Sequence, residues 1–101
     1  MPLRIASRAE ADLDDIWLYV AKESGSIEIA NRLIDTITDR FLALGRFPRI
    51  GRSREEDFGP GHRSLAVGEY VIVYCMEDED DDVLILRVVH GRRDVERLFG
   101  R

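Results

Sequence analysis

With 101 residues, 45% hydrophobic and 35% charged, the chain has material for one buried core, none for a second domain, and too much apolar content for disorder. The net charge of −5 comes from one unbroken run of six acids, Glu77 to Asp82, and the rest of the chain carries +1. No apolar run approaches the roughly 18 residues of a membrane span, Met1-Pro2-Leu3-Arg4-Ile5 has no apolar signal region, and the lone Cys75 excludes an internal disulfide and suits a reducing cytoplasm.

Residues 2–6 alternate, with Leu3 and Ile5 on one side, and predict a first strand. Ser7 followed by Glu10 three residues on has the form of a capping box. Ala9, Leu13, Ile16, Trp17 and Val20 then recur at helical spacing and predict a helix over about 7–23 with one apolar stripe, Trp17 included in the core. Asp12, Asp14 and Asp15 fall in its early turns, where the helix dipole favours acids. Ser24-Gly25-Ser26 ends this helix, and Ser26 is placed to cap the next.

The second helix, about 27–45, carries Ala30, Leu33, Ile34, Ile37, Phe41 and Leu44 on one face, and Gly45 and Pro48 end it. The short connection makes the pair an antiparallel hairpin over a common core. Residues 46–61 hold four arginines and a concentration of Gly and Pro, and read as a long loop. Strands follow at about 62–67, 70–76 and 83–89. Gly68-Glu69 suits a two-residue hairpin turn, and the acidic run forms the next hairpin's loop, where its charges are solvated. Val95, Leu98 and Phe99 predict a short tail helix from about 93. The fold class is therefore α+β, a helical hairpin on a mainly antiparallel sheet with a short C-terminal helix. Strands 70–76 and 83–89 are apolar on both faces, so the face away from the hairpin must meet the tail helix or a partner chain.

Fourteen arginines stand against the single Lys22, a composition suited to carboxylate or phosphate recognition or simply to solvated faces. Arg63, Arg87, His90, Arg92 and Arg93 form the polar set on the strands and strand end that could serve a phosphate. Cleavage of RNA by its 2′-hydroxyl needs a base, an acid and cationic stabilisation, and Arg63, His90 and Arg93 would be the residues to supply them. Against that chemistry, no lysine follows Lys22 and no tyrosine follows Tyr74. His90 and Arg92 serve as well as strand-end caps paired with carboxylates such as Asp94. His62 reads as structural, Cys75 as a core thiol, and Tyr70 and Tyr74 as core packing. The acidic run lacks the spaced ligands and glycine of a calcium loop. No cofactor or metal is expected.

In order and spacing, five segments are similar to the ParE branch of the RelE/ParE, or plasmid-stabilisation, toxin superfamily. They are Ala9-Glu10-Ala11-Asp12-Leu13-Asp14-Asp15-Ile16-Trp17-Leu18-Tyr19, Phe47-Pro48-Arg49-Ile50-Gly51, Gly61-His62-Arg63-Ser64-Leu65, Gly68-Glu69-Tyr70-Val71-Ile72-Val73-Tyr74 and Arg87-Val88-Val89-His90-Gly91-Arg92-Arg93-Asp94. The resemblance implies a single toxin domain of a type II toxin–antitoxin system, two helices on an antiparallel sheet, acting in the cytoplasm. It implies a cognate antitoxin partner, contact with DNA only through that antitoxin, and DNA gyrase as the target, inhibited by protein contact without catalytic residues. The partner-binding candidates are Arg63, Tyr70, Tyr74, Arg87, His90, Arg92, Arg93, Leu98 and Phe99. The alternatives are a RelE-like messenger RNA endoribonuclease and an inactive relic that binds only its antitoxin. The acidic run Glu77 to Asp82 departs from the family pattern.

Overall fold

The computed structural model describes residues 3–77 and 82–98, without the side chains at 92, 93 and 96. Along them the chain runs β1 (Leu3–Ile5), α1 (Ser7–Ser24), α2 (Ile27–Arg46), β2 (Arg52–Ser53), α3 (Glu55–Phe58), β3 (His62–Val67), β4 (Tyr70–Glu77), β5 (Asp82–His90) and α4 (Gly91–Leu98). The strands form one sheet in the order β1-β5-β4-β3-β2. β1 lies parallel to β5, and the other neighbours are antiparallel. The expected α+β architecture is the one observed.

The helical stripes bury as their spacing requires. Ala9 and Ile16 of α1 and Ala30, Ile37, Phe41 and Leu44 of α2 are buried, with Leu13, Val20, Leu33 and Ile34 packed against the core. Trp17 departs from this pattern. It is half-buried, and its indole Nε1 donates to Asn31 Oδ1 at 2.7 Å, tying the two helices together at their surface. Gly25 ends α1 in the left-handed region at φ 67°, and the Ser26 hydroxyl accepts from the Ile29 amide at the start of α2.

The capping box at Ser7 does not form. Ala6, whose methyl group can accept no hydrogen bond, occupies the cap position instead, its amide donating to Ile85 O at 2.9 Å as the chain passes directly from sheet to helix. Residues 46–61 are also more ordered than a loop. Arg52 and Ser53 pair with Ser64 and Arg63, and Glu55–Phe58 makes one helical turn. A two-residue polar strand and a single turn carry no periodicity by which sequence could announce them.

β3 and β4 meet through the two-residue turn at Gly68-Glu69, with Gly68 at φ 58° as a hairpin turn of this length requires. Tyr70, Ile72, Tyr74, Val83, Ile85 and Val88 join the core under the hairpin. On the opposite face Val73 and Val89 are buried, and Val71, Cys75, Leu84 and Leu86 are half-buried. α4 packs against β4 and β5 and buries Val95. Of the two covers expected for the apolar strands, the tail helix is thus present among the described residues. The large apolar side chains most open to water lie on the hairpin and just after α2. Residues 78–81 of the acidic run and Phe99 lie outside the described residues.

Candidate functional site at the open edge of the sheet

β1 ends at Ile5, so from residue 86 to 90 the outer edge of β5 has no neighbouring strand among the described residues. The pairing of β5 with β4 steps from Val73–Arg87 to Tyr74–Ile85, leaving Leu86 as an extra residue in a bulge. α1 runs beside this edge and delivers Asp12 to it. The Asp12 carboxylate accepts from Arg87 Nε at 2.8 Å, from Arg87 Nη2 at 3.1 Å and from the Val88 amide at 2.9 Å. One carboxylate thus pairs a guanidinium and satisfies a strand-edge N–H, a charge-assisted arrangement of the stronger kind. The hydrogen bond to Asp12 holds the Arg87 guanidinium above its ordinary range, although burial pulls the other way.

Between α1, this edge and α4 lies a groove of about 500 Å³, with Ile16, Tyr19, Tyr70, Arg87, His90 and Leu98 among its lining residues. Tyr70 meets the His90 ring edge-on at 5.1 Å between centroids. Burial, followed by the charge of Glu69 and the neighbouring Tyr19, raises the Tyr70 phenol above its usual value. The carboxylate near His90 is Glu69, 3.5 Å from Nε2, rather than Asp94, which pairs with Arg97 at 3.7 Å. Strand alternation sends residues three apart, such as Arg87 and His90, to opposite faces of a sheet. His90 is in fact the last strand residue, and both reach the groove because it opens along the sheet's edge.

Arg63 and Tyr74 belong elsewhere. The fully buried Tyr74 hydroxyl donates to Pro48 O at 2.6 Å and accepts from the Gly51 amide at 3.0 Å. Burial raises the phenol, with the Gly51 hydrogen bond and the Arg63 charge opposing. Arg63 Nη1 donates to Gly51 O at 2.6 Å and reaches Arg49 O at 3.4 Å. Arg63 pairs across the sheet with Tyr74 and His90 with Tyr70. Four residues of strand, about 14 Å, and two strand spacings across β4, roughly 10 Å, therefore separate Arg63 from His90. The structure does not bring this proposed catalytic pair together. Arg92 and Arg93 open α4, but their side chains, like Phe99, lie outside the described residues.

His62 holds its own loop, with Nδ1 3.2 Å from Gly59 O and 3.1 Å from Pro60 O. Burial, then the charge of Glu77, raises the Cys75 thiol while Arg4 opposes, leaving it a poor nucleophile. Of the partner-binding candidates, Tyr70, Arg87, His90 and Leu98 line the groove. Sequence reasoning missed Asp12, Ile16 and Tyr19 as groove residues. Asp12 read only as an acid suited to the helix dipole.

The family model described as the ParE toxin of the type II toxin–antitoxin system, parDE, matches residues 3–95. The chain belongs to the ParE toxin family. Toxin ParE3 of Caulobacter vibrioides is 33% identical over 90 residues, covering 89% of this chain and 86% of that protein. Toxin ParE1 of the same organism is 34% identical over 99 residues, covering 98% of both. Among solved structures, the chromosomal ParDE TA system from P. aeruginosa superposes with a TM-score of 0.75 at 23% identity, over 91% of this chain and 97% of that one. The toxin–antitoxin complex RelBE2 from Mycobacterium tuberculosis superposes with a TM-score of 0.62 at 27% identity, over 87% and 94%. This ParE-family chain is thus the toxin of a type II toxin–antitoxin system. Among its described residues, no helix is long and apolar enough to cross a membrane.

Proposed function

We propose that this ParE-family toxin arrests growth through protein contact with DNA gyrase, and that a cognate antitoxin neutralises it by covering the groove at the open β5 edge. The observation that carries the reading is the disposition of the basic residues. Arg87 is bound to Asp12, Arg63 to the carbonyls of residues 49 and 51, and His90 stands two strands from Arg63 and about 14 Å further along β4. Phosphodiester cleavage needs a proton-transfer pair beside concentrated positive charge, and these three side chains do not converge on one phosphate. A groove lined by apolar and charged side chains, beside a strand edge with no neighbouring strand among the described residues, suits a peptide chain. The antitoxin is supported further by the solved relatives, which are toxin–antitoxin systems and complexes.

The test is expression of the chain without antitoxin, as wild type and as His90→Ala. Both should arrest growth to the same degree, with cellular messages uncut, and co-expressed antitoxin should restore growth. Site-specific message cleavage that disappears in a well-folded His90→Ala variant would move the assignment to an endoribonuclease. Wild-type protein that accumulates without slowing growth would make the chain an inactive antitoxin-binding relic.

A further inference from the structure

The segment joining α2 to β2 displays two large apolar side chains to water. Phe47 is 59% and Ile50 52% exposed. They stand on a clamped turn. The Ile50 amide donates to Phe47 O at 3.2 Å, Tyr74 bridges Pro48 O and the Gly51 amide, and Arg63 holds Gly51 O from below. Gly51 is buried, and a Cβ there would lie 2.3 Å from the Tyr74 hydroxyl, so the turn sits directly on its buried anchor. The exposed Arg46 lies over the Phe47 ring at 5.8 Å, and the exposed Arg52 follows Gly51.

Phe47 and Ile50 are held out in water between arginines on a firm base, an apolar patch with a polar rim of the kind that marks interaction sites. Rigid aromatic and arginine side chains are the residues that concentrate binding energy at protein interfaces. The turn also stands at the opposite side of the sheet from the groove. β2 lies three strand spacings from β5, about 14 Å.

We infer that the Phe47–Ile50 turn, with Arg46 and Arg52, is the surface by which the toxin grips an acidic, apolar-pocketed face of its target protein, apart from the groove assigned to the antitoxin. The partner is acidic because the cations flanking the turn are complemented by carboxylates. It is a protein rather than a nucleic acid because the turn holds two large apolar side chains, Phe47 and Ile50, out in water beside its arginines. The inference rests on the protein-contact reading above but not on gyrase being the target.

The experiment compares wild type with Phe47→Ala/Ile50→Ala and Arg46→Glu/Arg52→Glu, all changes at exposed positions. Each is scored for growth arrest, antitoxin binding, thermal melting and inhibition of gyrase supercoiling. Both double variants should melt and bind antitoxin as wild type does, yet lose growth-arrest potency by about thirtyfold, the effect of removing one interface hot spot. Full potency in the Phe47→Ala/Ile50→Ala variant overturns the inference. So does loss in the arginine variant alone accompanied by loss of nucleic-acid binding, which would make the patch a phosphate contact. If wild type spares gyrase while these variants still lose growth arrest, the gyrase assignment fails and the turn stands as the target surface.

Discussion

Replacing Gly51 by alanine should destabilise the fold by about 3 kcal/mol or more, the upper end of what overpacking a rigid site costs. The reason is space, since Gly51 does not have the positive φ seen at Gly25, Gly59, Gly61, Gly68 and Gly91. An added Cβ would meet the Tyr74 hydroxyl at 2.3 Å, Ser64 O at 2.7 Å and Tyr74 Cε1 at 2.8 Å. A strand carbonyl and a fully buried ring are not flexible ends that can step aside. Displacing Tyr74 would also break its hydrogen bonds to Pro48 and Gly51. For a domain of this size the loss lowers the melting temperature by roughly 12–24 °C. Tyr74→Phe in the Gly51→Ala background removes the closest clash and should cost less than the sum of the two single changes, although Ser64 O and the ring remain in the way. Strict additivity in that double-mutant cycle, or a Gly51→Ala protein that melts with wild type, would refute the clamp.

Asp12→Ala should remove about 2–4 kcal/mol, seen as a fall of roughly 8–30 °C in the melting midpoint. The substitution leaves Arg87 without its counter-charge and strands the Val88 amide at the edge of the groove. The Asp12 side chain is 11% exposed and that of Arg87 25%, so water can recover part of the loss. That places the effect below the full cost of breaking a deeply buried pair. Asp12→Asn keeps an acceptor for the Val88 amide and should fall between alanine and wild type. If Asp12→Ala melts within a degree or two of wild type, the pair does not hold α1 to the sheet edge.

These two positions show where sequence is readable and where it is not. The stripes of α1 and α2 are visible because helical periodicity is a local property, and the boundaries of β3, β4 and β5 follow from alternation and turn residues in the same way. Asp12 is different. Its meaning lies in Arg87, 75 residues away, and depends on β1 being so short that the far half of β5 is left open to α1. Gly51 in turn gains its role from Tyr74, 23 residues further on. That Arg63 and His90 lie apart was hidden for a related reason. Both lie at marked strand positions, but register places them four β4 residues apart, and no feature of the sequence alone fixes register across two hairpins. Within the loop before β3, the polar pair Arg52-Ser53 and the single turn at Glu55–Phe58 are held by neighbours rather than by propensity.

The groove residues were half legible. Tyr70, Arg87, His90 and Leu98 were partner-binding candidates, although Tyr70 by itself read as core packing, whereas Ile16 and Tyr19 look like ordinary helix residues until the open edge brings α1 beside α4. The exposed turn at Phe47 and Ile50 was visible only as part of a family-like segment. Its exposure comes from Tyr74 and Arg63 occupying the space beneath it.

The most direct test of toxin action by protein contact is a supercoiling assay with purified components. Relaxed plasmid, ATP and gyrase are mixed with increasing amounts of the purified chain, with and without its antitoxin, while ribosome-bound messages are exposed to the same concentrations. The expected result is loss of supercoiling in proportion to toxin, relief by antitoxin, an unchanged response for His90→Ala, and intact messages. Undisturbed supercoiling at concentrations that cut messages, with cutting abolished by His90→Ala, would contradict the proposal and identify the chain as a ribonuclease.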